Sequence, residues 1–222
     1  MRARTRCNPA ATWLYSSKSK GLSVMDARLV AWARAVKARQ MKILGRRGPP
    51  VLWLFTDAVR LPDPRAAVAR LPRGLCGVVL RHDGSPDRAS LGRDLAQICR
   101  TRRNRLVVAG DWRLAFALRS GQHFRRGIGC PAIGCPAGDG LYTSSAHSVA
   151  EARRAGGALA FLSPAFGTVS HLGQPGLGGV RWGLMAKAIG GRIAALGGID
   201  GYSVRRLPPR WLAAVGAIGA LI

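Results

Sequence analysis

The sequence predicts an α/β protein: a (β/α)8 TIM barrel with a basic N-terminal extension that contains one helix. Three observations support this fold class. From residue 51 onward, short continuous apolar runs alternate with segments compatible with helices, which is typical of a parallel sheet buried on both faces. Eight such runs occur, enough to close a barrel. Several runs end in small hydroxyl residues or glycine, as strands do at the active face of such barrels.

The first 50 residues are expected to precede the barrel. Residues 1–24 are basic and contain no acidic residue, which predicts a disordered tail or a true start at Met25. Residues 25–50 are predicted to form a helix, over 26–41, and a linker. Asp26 is a suitable N-cap. The apolar face of this helix is expected to pack on the barrel, and its members are Leu29, Trp32, Ala33 and Val36.

Residues 51–222 are assigned to the barrel domain. The predicted strands are 51–55, 75–80, 106–109, 122–125, 141–144, 159–162, 193–196 and 213–218. The predicted helices are 64–71, 91–102, 112–119, 149–155 and 180–189. Segment 130–139 is predicted to be an irregular loop where a fourth helix would be expected. An open Rossmann sheet is the alternative, but no glycine-rich dinucleotide motif follows the first strand.

The charge balance favours anionic partners. The chain has 35 basic and 10 acidic residues, a formal net charge of +25, and most of the excess is arginine. Phosphorylated small molecules are the expected partners of such a surface. Nucleic-acid binding is an alternative from another functional class, but it is not favoured because the arginines are spread along the chain without a recognition motif.

The cysteines and the hydropathy pattern indicate a reducing, cytoplasmic protein. Cys130 and Cys135 lack a second pair of ligands at suitable spacing, so neither a zinc site nor a disulfide is predicted there. Cys76 and Cys99 lie in apolar runs and are expected to be buried. No run reaches the roughly 18 to 20 apolar residues of a membrane span. The sequence leaves open whether a homo-oligomer forms.

Polar residues at the predicted strand ends form the candidate site. The set contains one fixed cation, hydroxyl groups, carboxylates and glycines, but no nucleophile backed by a base. Glycine N–H groups after the last two strands, with hydroxyls and a guanidinium, suit a phosphate group. The residues concerned are Arg81, Asp111, Ser145, Thr168, Ser170, Gly198 and Gly219.

Three motifs in the second half of the chain carry a family resemblance. They are Ser-Ala-His-Ser-x-x-Glu-Ala at 145–152, Ser-Pro-x-Phe-x-Thr-x-Ser at 163–170 and Leu-Gly-Gly-Ile at 196–199. In this order they resemble the thiamine phosphate synthase/TenI family, roughly over 51–222. The resemblance implies a TIM barrel in thiamine biosynthesis. The synthase joins hydroxymethylpyrimidine diphosphate to a thiazole phosphate and releases pyrophosphate, with magnesium on the diphosphate.

The resemblance implies a role for each matching residue. Arg81 would grip the diphosphate, Asp111 would bind Mg²⁺, and His171 stands where the family has a diphosphate-binding lysine. Arg81, Ser145 and His171 are the candidate catalytic residues. The remaining substrate contacts would come from Ser145, Thr168, Ser170, Gly198, Ile218 and Gly219.

The first half of the chain departs from the family pattern. A glutamine, two lysines, an asparagine and an aspartate of the diphosphate and magnesium half have no match. Either the site is remodelled, with His82, Asp83 and His171 as substitutes, or the chain is a non-synthase TenI-like thiazole phosphate aromatase or binding protein. If His171 replaces the lysine, diphosphate affinity should fall between about pH 6 and 8, because histidine titrates near 6.5.

Overall fold

The computed structural model describes residues 25–45, 48–125, 140–155, 157–168 and 175–222 of the 222-residue chain. Eight parallel strands pair in sequential order and close into a barrel, which confirms the predicted (β/α)8 fold. The strands are β1 (Leu52–Phe55), β2 (Cys76–Leu80), β3 (Arg105–Ala109), β4 (Gly121–Phe124), β5 (Tyr142–Ala146), β6 (Leu159–Leu162), β7 (Ile193–Leu196) and β8 (Leu212–Ala217).

Helices alternate with the strands on the outside of the barrel. They are α1 (Ala27–Leu44), α2 (Arg65–Arg70), α3 (Arg88–Thr101), α4 (Trp112–Ala117), α5 (Val149–Ala155) and α6 (Gly178–Ile189). Short 3₁₀ helices follow the last two strands, at Ser203–Arg206 and Gly219–Leu221. The predicted tail at 1–24 and the predicted irregular loop at 130–139 lie outside the described residues.

Strand β5 is longer than the sequence indicates. It continues to Ala146, so Ser145 lies within the strand instead of in the turn that follows. Its pairing partner explains the extension: Ser144, Ser145 and Ala146 are in register with the last three residues of β6. Parallel pairing with an apolar strand therefore outweighs the turn preference of small polar residues.

The interior of the barrel is filled by aromatic side chains. The ring centroid of Phe161 lies 5.6 Å from that of Trp53 and 4.9 Å from that of Phe55, both edge to face. Gly77 on β2 leaves space for Trp53, because a Cβ there would lie 2.4 Å from the indole ring. The indole N–H donates to the Pro50 carbonyl at 2.8 Å. Burying each of these rings stabilises the fold by about 1.5–3 kcal/mol. The packed interior leaves the strand ends as the place for a binding site.

Helix α1 packs along β8 on the outside of the barrel. The Asp26 N–H donates to the Ala220 carbonyl at 2.9 Å, just beyond the end of β8. Towards the other end of the helix, the Gln40 side-chain amide donates to the Ala213 carbonyl, within β8, at 2.8 Å. Helix and strand are therefore antiparallel, as in a regular β/α unit. Leu29 is completely buried in the cluster between helices and barrel, so the apolar face packs on the barrel as expected.

Two further expectations concern membranes and thiols. Among the described residues, no helix is long and apolar enough to cross a membrane. Cys76 and Cys99 are buried free thiols. Burial raises the pKa of each to about 12, so both are neutral at physiological pH. Cys130 and Cys135 lie outside the described residues.

Candidate functional site

A cavity of about 1390 Å³ opens at the carboxyl ends of the strands. Its walls come from the loops after β1, β2, β6, β7 and β8 and from the start of α1. Five residues predicted from the sequence border it: Arg81, Thr168, Gly198, Ile218 and Gly219. This face is where β/α-barrels carry their active sites, and the cavity is large enough for a small-molecule ligand.

The loops after β6 and β7 form one wall through close backbone contact. The Phe166 N–H donates to the Gly197 carbonyl at 3.0 Å. Gly198 has φ +62°, and a Cβ there would lie 2.5 Å from the Gly167 carbonyl oxygen, so only glycine fits. Among described residues, the Gly198 N–H has no hydrogen-bond acceptor. A backbone N–H of this kind beside a half-buried Thr168 is suited to an anion.

The loop after β8 brings backbone close to the same cavity. Ile218 follows the strand and Gly219 begins the short 3₁₀ helix. A Cβ built at Gly219 would meet no atom within 4 Å, so the backbone there faces open space. A ligand can therefore approach the main chain at this position closely.

Arg81 borders the cavity from the end of β2. Its backbone N–H donates to the Thr56 hydroxyl at 2.9 Å, which fixes its position. No ion pair within the described part of the chain involves its guanidinium. By contrast, Asp57 in the same wall pairs with Arg60 at 3.1 Å. Partial burial raises the pKa of Asp57, but hydrogen bonds from Arg60 and Val59 outweigh this and hold it below the usual value.

His82 supports the wall of the cavity without bordering it. Its Nδ1 lies 2.9 Å from the Thr56 hydroxyl, and its Nε2 lies 3.2 Å from the Pro62 carbonyl oxygen. Because a carbonyl oxygen can only accept, Nε2 donates to Pro62. The imidazole is buried. It is thus committed to the packing of β1 against β2, and the structure gives no support to a substitute role in binding diphosphate.

The start of α1 supplies residues that the sequence analysis did not assign to the site. The Asp26 carboxylate accepts from the N–H groups of Arg28 at 2.9 Å and Leu29 at 3.1 Å, as the predicted N-cap. It also accepts from the Gly201 N–H, after β7, at 2.7 Å. The Arg28 guanidinium lies 4.3 Å from the centroid of the Tyr202 ring. Asp26, Arg28 and Tyr202 all border the cavity.

Ser145 lies inside the barrel, and it is not among the residues that line the cavity. Its hydroxyl is 2.7 Å from Nε2 of His123, on β4. Nδ1 of the same imidazole is 2.9 Å from the Thr143 hydroxyl. The His123 ring also packs edge to face on Phe55, with centroids 5.5 Å apart. The imidazole is thus held on both nitrogens and against an aromatic ring.

Burial keeps His123 neutral. It lowers the pKa of His123 to about 3, and the positive charges of Arg81 and Arg125 contribute in the same direction. So weak a base does not activate a serine at neutral pH. The imidazole therefore orients the Ser145 hydroxyl instead of deprotonating it. His123 was not predicted as a site residue, because β4 has no continuous apolar run that would mark it as a buried strand.

Part of the first family-like motif caps helix α5. The Ser148 hydroxyl accepts from the Glu151 N–H at 3.2 Å, and the Glu151 carboxylate accepts from the His147 N–H, one residue before the cap, at 2.7 Å. The His147 imidazole donates from Nδ1 to the Ser163 carbonyl at 3.0 Å. These contacts join the ends of β5 and β6.

Asp111, the predicted magnesium ligand, caps helix α4. One carboxylate oxygen accepts from the Leu114 N–H at 2.9 Å, and the other lies 3.7 Å from the Arg88 guanidinium. Arg88 also pairs with Asp83 at 3.2 Å, and Asp83 pairs with Arg125. Over the described ranges, no group of three or more His, Cys, Asp or Glu residues could hold a metal ion. The expectation that Asp111 binds Mg²⁺ therefore stays a prediction.

Two predicted site residues, Ser170 and His171, lie outside the described residues. The expectation that His171 replaces a diphosphate-binding lysine therefore stays a prediction.

Comparisons with known proteins give structural likeness only. No family model matches the chain, and no curated protein matches it. A thiamine phosphate pyrophosphorylase from Pyrococcus furiosus superposes with a TM-score of 0.58 at 18% identity, covering 76% of this chain and 85% of that one. An HpcH/HpaI aldolase/citrate lyase family protein from Burkholderia cenocepacia gives a TM-score of 0.50 at 15% identity, with 82% and 92% covered. These likenesses support the barrel fold.

Proposed function

We propose that this chain works in thiamine biosynthesis as a thiamine phosphate synthase-like transferase. It would join hydroxymethylpyrimidine diphosphate to thiazole phosphate and release pyrophosphate. The observation that carries the proposal is one cavity that gathers four residues matching the family pattern, namely Arg81, Thr168, Gly198 and Ile218, together with Gly219, where the family has a serine. The likeness of the fold to a protein named thiamine phosphate pyrophosphorylase is consistent with it.

The two sides of the cavity would bind different substrates. The thiazole phosphate would bind at the loops after β6, β7 and β8, where Gly198 borders the cavity and the Gly219 backbone faces open space. The diphosphate would face Arg81 on the opposite side. In the transfer, the bond from the pyrimidine methylene carbon to the diphosphate oxygen breaks, and the thiazole nitrogen forms a bond to that carbon. The Arg81 guanidinium would stabilise the leaving diphosphate through paired hydrogen bonds.

We assign magnesium to the diphosphate substrate and not to a resident site. Asp111 is engaged by the Leu114 N–H and lies near the Arg88 guanidinium, so it offers little to a free ion. Mg²⁺ usually keeps several waters and binds through substrate phosphates. Its entry with the diphosphate accords with this preference.

A second candidate function is a non-synthase TenI-like role, as a thiazole phosphate aromatase or binding protein. The cluster of Arg88, Asp83, Asp111 and Arg125 favours it, because the carboxylates after β2 and β3 are already paired with guanidinium groups. Such a cluster neutralises the side of the barrel where the family would hold the diphosphate and its metal. The thiazole phosphate side does not depend on these residues.

One experiment separates the two candidates. Purified full-length protein is incubated with both phosphorylated precursors and Mg²⁺, and thiamine phosphate and pyrophosphate are measured. Product formation that is lost in Arg81→Gln supports the synthase. Calorimetry with thiazole phosphate alone is run in parallel on the wild type, on Thr168→Val and on Thr101→Val, an exposed threonine of α3 as control.

The calorimetry decides what a negative assay means. Binding without turnover, weakened in Thr168→Val and unchanged in Thr101→Val, supports the non-synthase candidate. Absence of both turnover and thiazole phosphate binding overturns the proposal. Tight binding of duplex DNA at physiological ionic strength, without thiazole phosphate binding, would instead favour the nucleic-acid alternative.

A further inference from the structure

We infer that Arg28, at the start of helix α1, is a ligand-binding residue of the cavity at the carboxyl ends of the strands. Arg28 borders this cavity. Its guanidinium would contact the phosphate group of a phosphorylated small molecule. The inference rests on the proposed function for the identity of that molecule, thiazole phosphate, but it requires only that the ligand places a phosphate group on this side of the cavity.

The start of α1 lies against the loops after β7 and β8. The Asp26 N–H donates to the carbonyl of Ala220, the residue that follows Gly219, at 2.9 Å. At the loop after β7, a Cβ built on Gly201 would lie 2.5 Å from the Arg28 Cβ, so the loop can approach α1 this closely only with glycine. Arg28 is therefore fixed between the two loops that carry the glycines of the thiazole phosphate side.

The contribution of α1 to the site would come from a side chain. The first backbone N–H groups of a helix commonly bind anions. Here the Asp26 carboxylate already accepts from the N–H groups of Arg28 at 2.9 Å and Leu29 at 3.1 Å. Since these N–H groups are engaged, an anion at the start of α1 would meet the Arg28 guanidinium instead.

Two carboxylates on this side of the cavity also accept from backbone N–H groups. Asp26 accepts a further bond from the Gly201 N–H at 2.7 Å. Asp200 accepts from the N–H groups of Tyr202 at 2.8 Å and Ser203 at 2.7 Å. The N–H dipoles offset part of each negative charge, which lowers the repulsion that a phosphate group would meet there.

Tyr202 positions the Arg28 guanidinium. The Cζ atom of Arg28 lies 4.3 Å from the centroid of the Tyr202 ring. The ring is 68% exposed and borders the cavity, so it is not a core side chain. Cation–π attraction holds the guanidinium beside the cavity, and the fork of arginine N–H groups matches phosphate oxygens.

Arg28 would determine the preference for a phosphorylated ligand. Gly198 borders the cavity, and the Gly219 backbone faces open space. Backbone N–H groups at these loops can bind neutral oxygens as well as phosphate oxygens. A guanidinium favours an anion, because hydrogen bonds between two charged groups are roughly twice as strong as neutral ones. The contribution of Arg28 should therefore appear only when the ligand carries its phosphate group.

The test compares two arginines of the same helix. Arg34 is exposed, lies on α1 and does not border the cavity, so Arg34→Gln is the matched control for Arg28→Gln. Both substitutions remove one charge and keep a polar side chain. Binding of thiazole phosphate and of the unphosphorylated thiazole alcohol is measured by calorimetry on full-length protein at about 150 mM salt. Tyr202→Phe and Tyr202→Ala test the positioning role of the ring.

The expected loss is specific to the phosphate group. Arg28→Gln should weaken thiazole phosphate binding by about tenfold or more and change alcohol binding by less than about twofold. Arg34→Gln should change either affinity by less than about twofold. Tyr202→Phe should keep the affinity of the wild type for thiazole phosphate because the ring is retained, whereas Tyr202→Ala should lower it by about threefold or more.

Three results would overturn the inference. Equal weakening in Arg28→Gln and Arg34→Gln would indicate diffuse surface charge. Equal losses for thiazole phosphate and the alcohol would mean that Arg28 shapes the cavity without contacting phosphate. Unchanged thiazole phosphate affinity in Arg28→Gln would remove Arg28 from the site.

Inorganic phosphate separates failure of this inference from failure of the proposed function. If thiazole phosphate does not bind the wild type, the proposed function fails, and the same variants are compared with inorganic phosphate at up to about 10 mM. Weaker phosphate binding in Arg28→Gln than in Arg34→Gln would then still support the role of Arg28. Equal binding in the two variants, or no phosphate binding by the wild type, would overturn it.

Discussion

Nε2 of His123 lies 2.7 Å from the hydroxyl oxygen of Ser145, inside the barrel and just below the candidate site. This contact links a residue that the family resemblance singles out to one that it does not. The imidazole is buried and neutral, with its pKa lowered by burial to about 3. Its role is thus to position a hydroxyl group, and its protonation state is coupled to folding.

The first prediction is that His123 makes stability depend on pH. Its folded pKa lies below that of about 6.5 expected in the unfolded chain, so the unfolded state binds the extra proton. The free energy of unfolding should therefore fall as pH decreases from about 6.5 towards about 3, with a slope of up to about 1.4 kcal/mol per pH unit. His123→Gln removes the titrating group and should flatten this part of the profile.

Denaturant unfolding of the wild type and of His123→Gln, at about pH 8 to about pH 4, measures how the free energy of unfolding depends on pH. Carboxylates such as Asp57 contribute to the profile of both proteins, so only the difference between the curves reports on His123. Identical slopes in the wild type and His123→Gln would refute the buried, neutral state of the imidazole.

The second prediction concerns the contact between the loops after β6 and β7. Gly198→Ala combines a strained φ of +62° with a Cβ only 2.5 Å from the Gly167 carbonyl oxygen. Gly84→Ala is the matched control, because Gly84 has φ +74° but no atom within 4 Å of the new Cβ. The control should cost about 1–2 kcal/mol of stability from backbone strain alone. Gly198→Ala should cost about 1–3 kcal/mol more, from overpacking.

Thermal unfolding and thiazole phosphate binding together check this prediction. The control should keep the affinity of the wild type, whereas Gly198→Ala should lose it because the two loops move apart. If both variants lose stability equally, the close approach of Gly198 to Gly167 does not exist in solution.

The third prediction concerns Asp26, which joins helix α1 to the loop after β7. Asp26→Ala removes the helix cap. It also leaves the Gly201 N–H without its acceptor, the Asp26 carboxylate oxygen 2.7 Å away. Loss of a cap alone costs about 0.5–2 kcal/mol. Asp87→Ala is the control, because Asp87 precedes α3 without a capping hydrogen bond from its side chain. The Asp87→Ala substitution should change the free energy of unfolding by less than about 0.5 kcal/mol.

The Asp26 contribution should also disappear in acid. Partial burial raises its pKa, but hydrogen bonds from Gly201, Leu29 and Arg28 outweigh this and hold it below the ordinary value of 3.8. The stabilisation is therefore present above about pH 4 and lost as pH falls below that value. If Asp26→Ala is less stable than the wild type by the same amount at pH 7 and at low pH, then the carboxylate is not the stabilising group.

Local sequence patterns predict the strands well but predict the site only in part. The continuous apolar run at β1 identifies a buried strand because its burial on both faces is a local property. The Gly121–Phe124 strand has no such run, and so His123 was not recognised as an interior residue. The position of Asp26 beside Gly201 depends on how α1 packs against β8, which no short pattern encodes.

Asp111 illustrates a different limit. The resemblance implies a magnesium ligand, yet an aspartate directly before a helical segment is also a common N-cap, and this is the contact that the structure contains. An aspartate at this position can bind a metal ion or cap a helix, and only the geometry of its carboxylate oxygens distinguishes the two roles.

The last prediction uses that geometry. Asparagine caps a helix as well as aspartate does, whereas alanine does not. Asp111→Asn should therefore keep the stability of the wild type within about 0.5 kcal/mol, because it retains the bond to Leu114 and loses only the partly exposed contact with Arg88 at 3.7 Å. Asp111→Ala should be less stable by about 1 kcal/mol.

Calorimetry of the wild type with Mg²⁺ alone should give little heat, since a single engaged carboxylate leaves the ion hydrated. Diphosphate binding in the presence of Mg²⁺ should be similar in the wild type and Asp111→Asn. If Asp111→Asn keeps full stability but loses magnesium-dependent diphosphate binding, Asp111 is a metal ligand during the reaction, and the assignment of magnesium to the substrate alone is wrong.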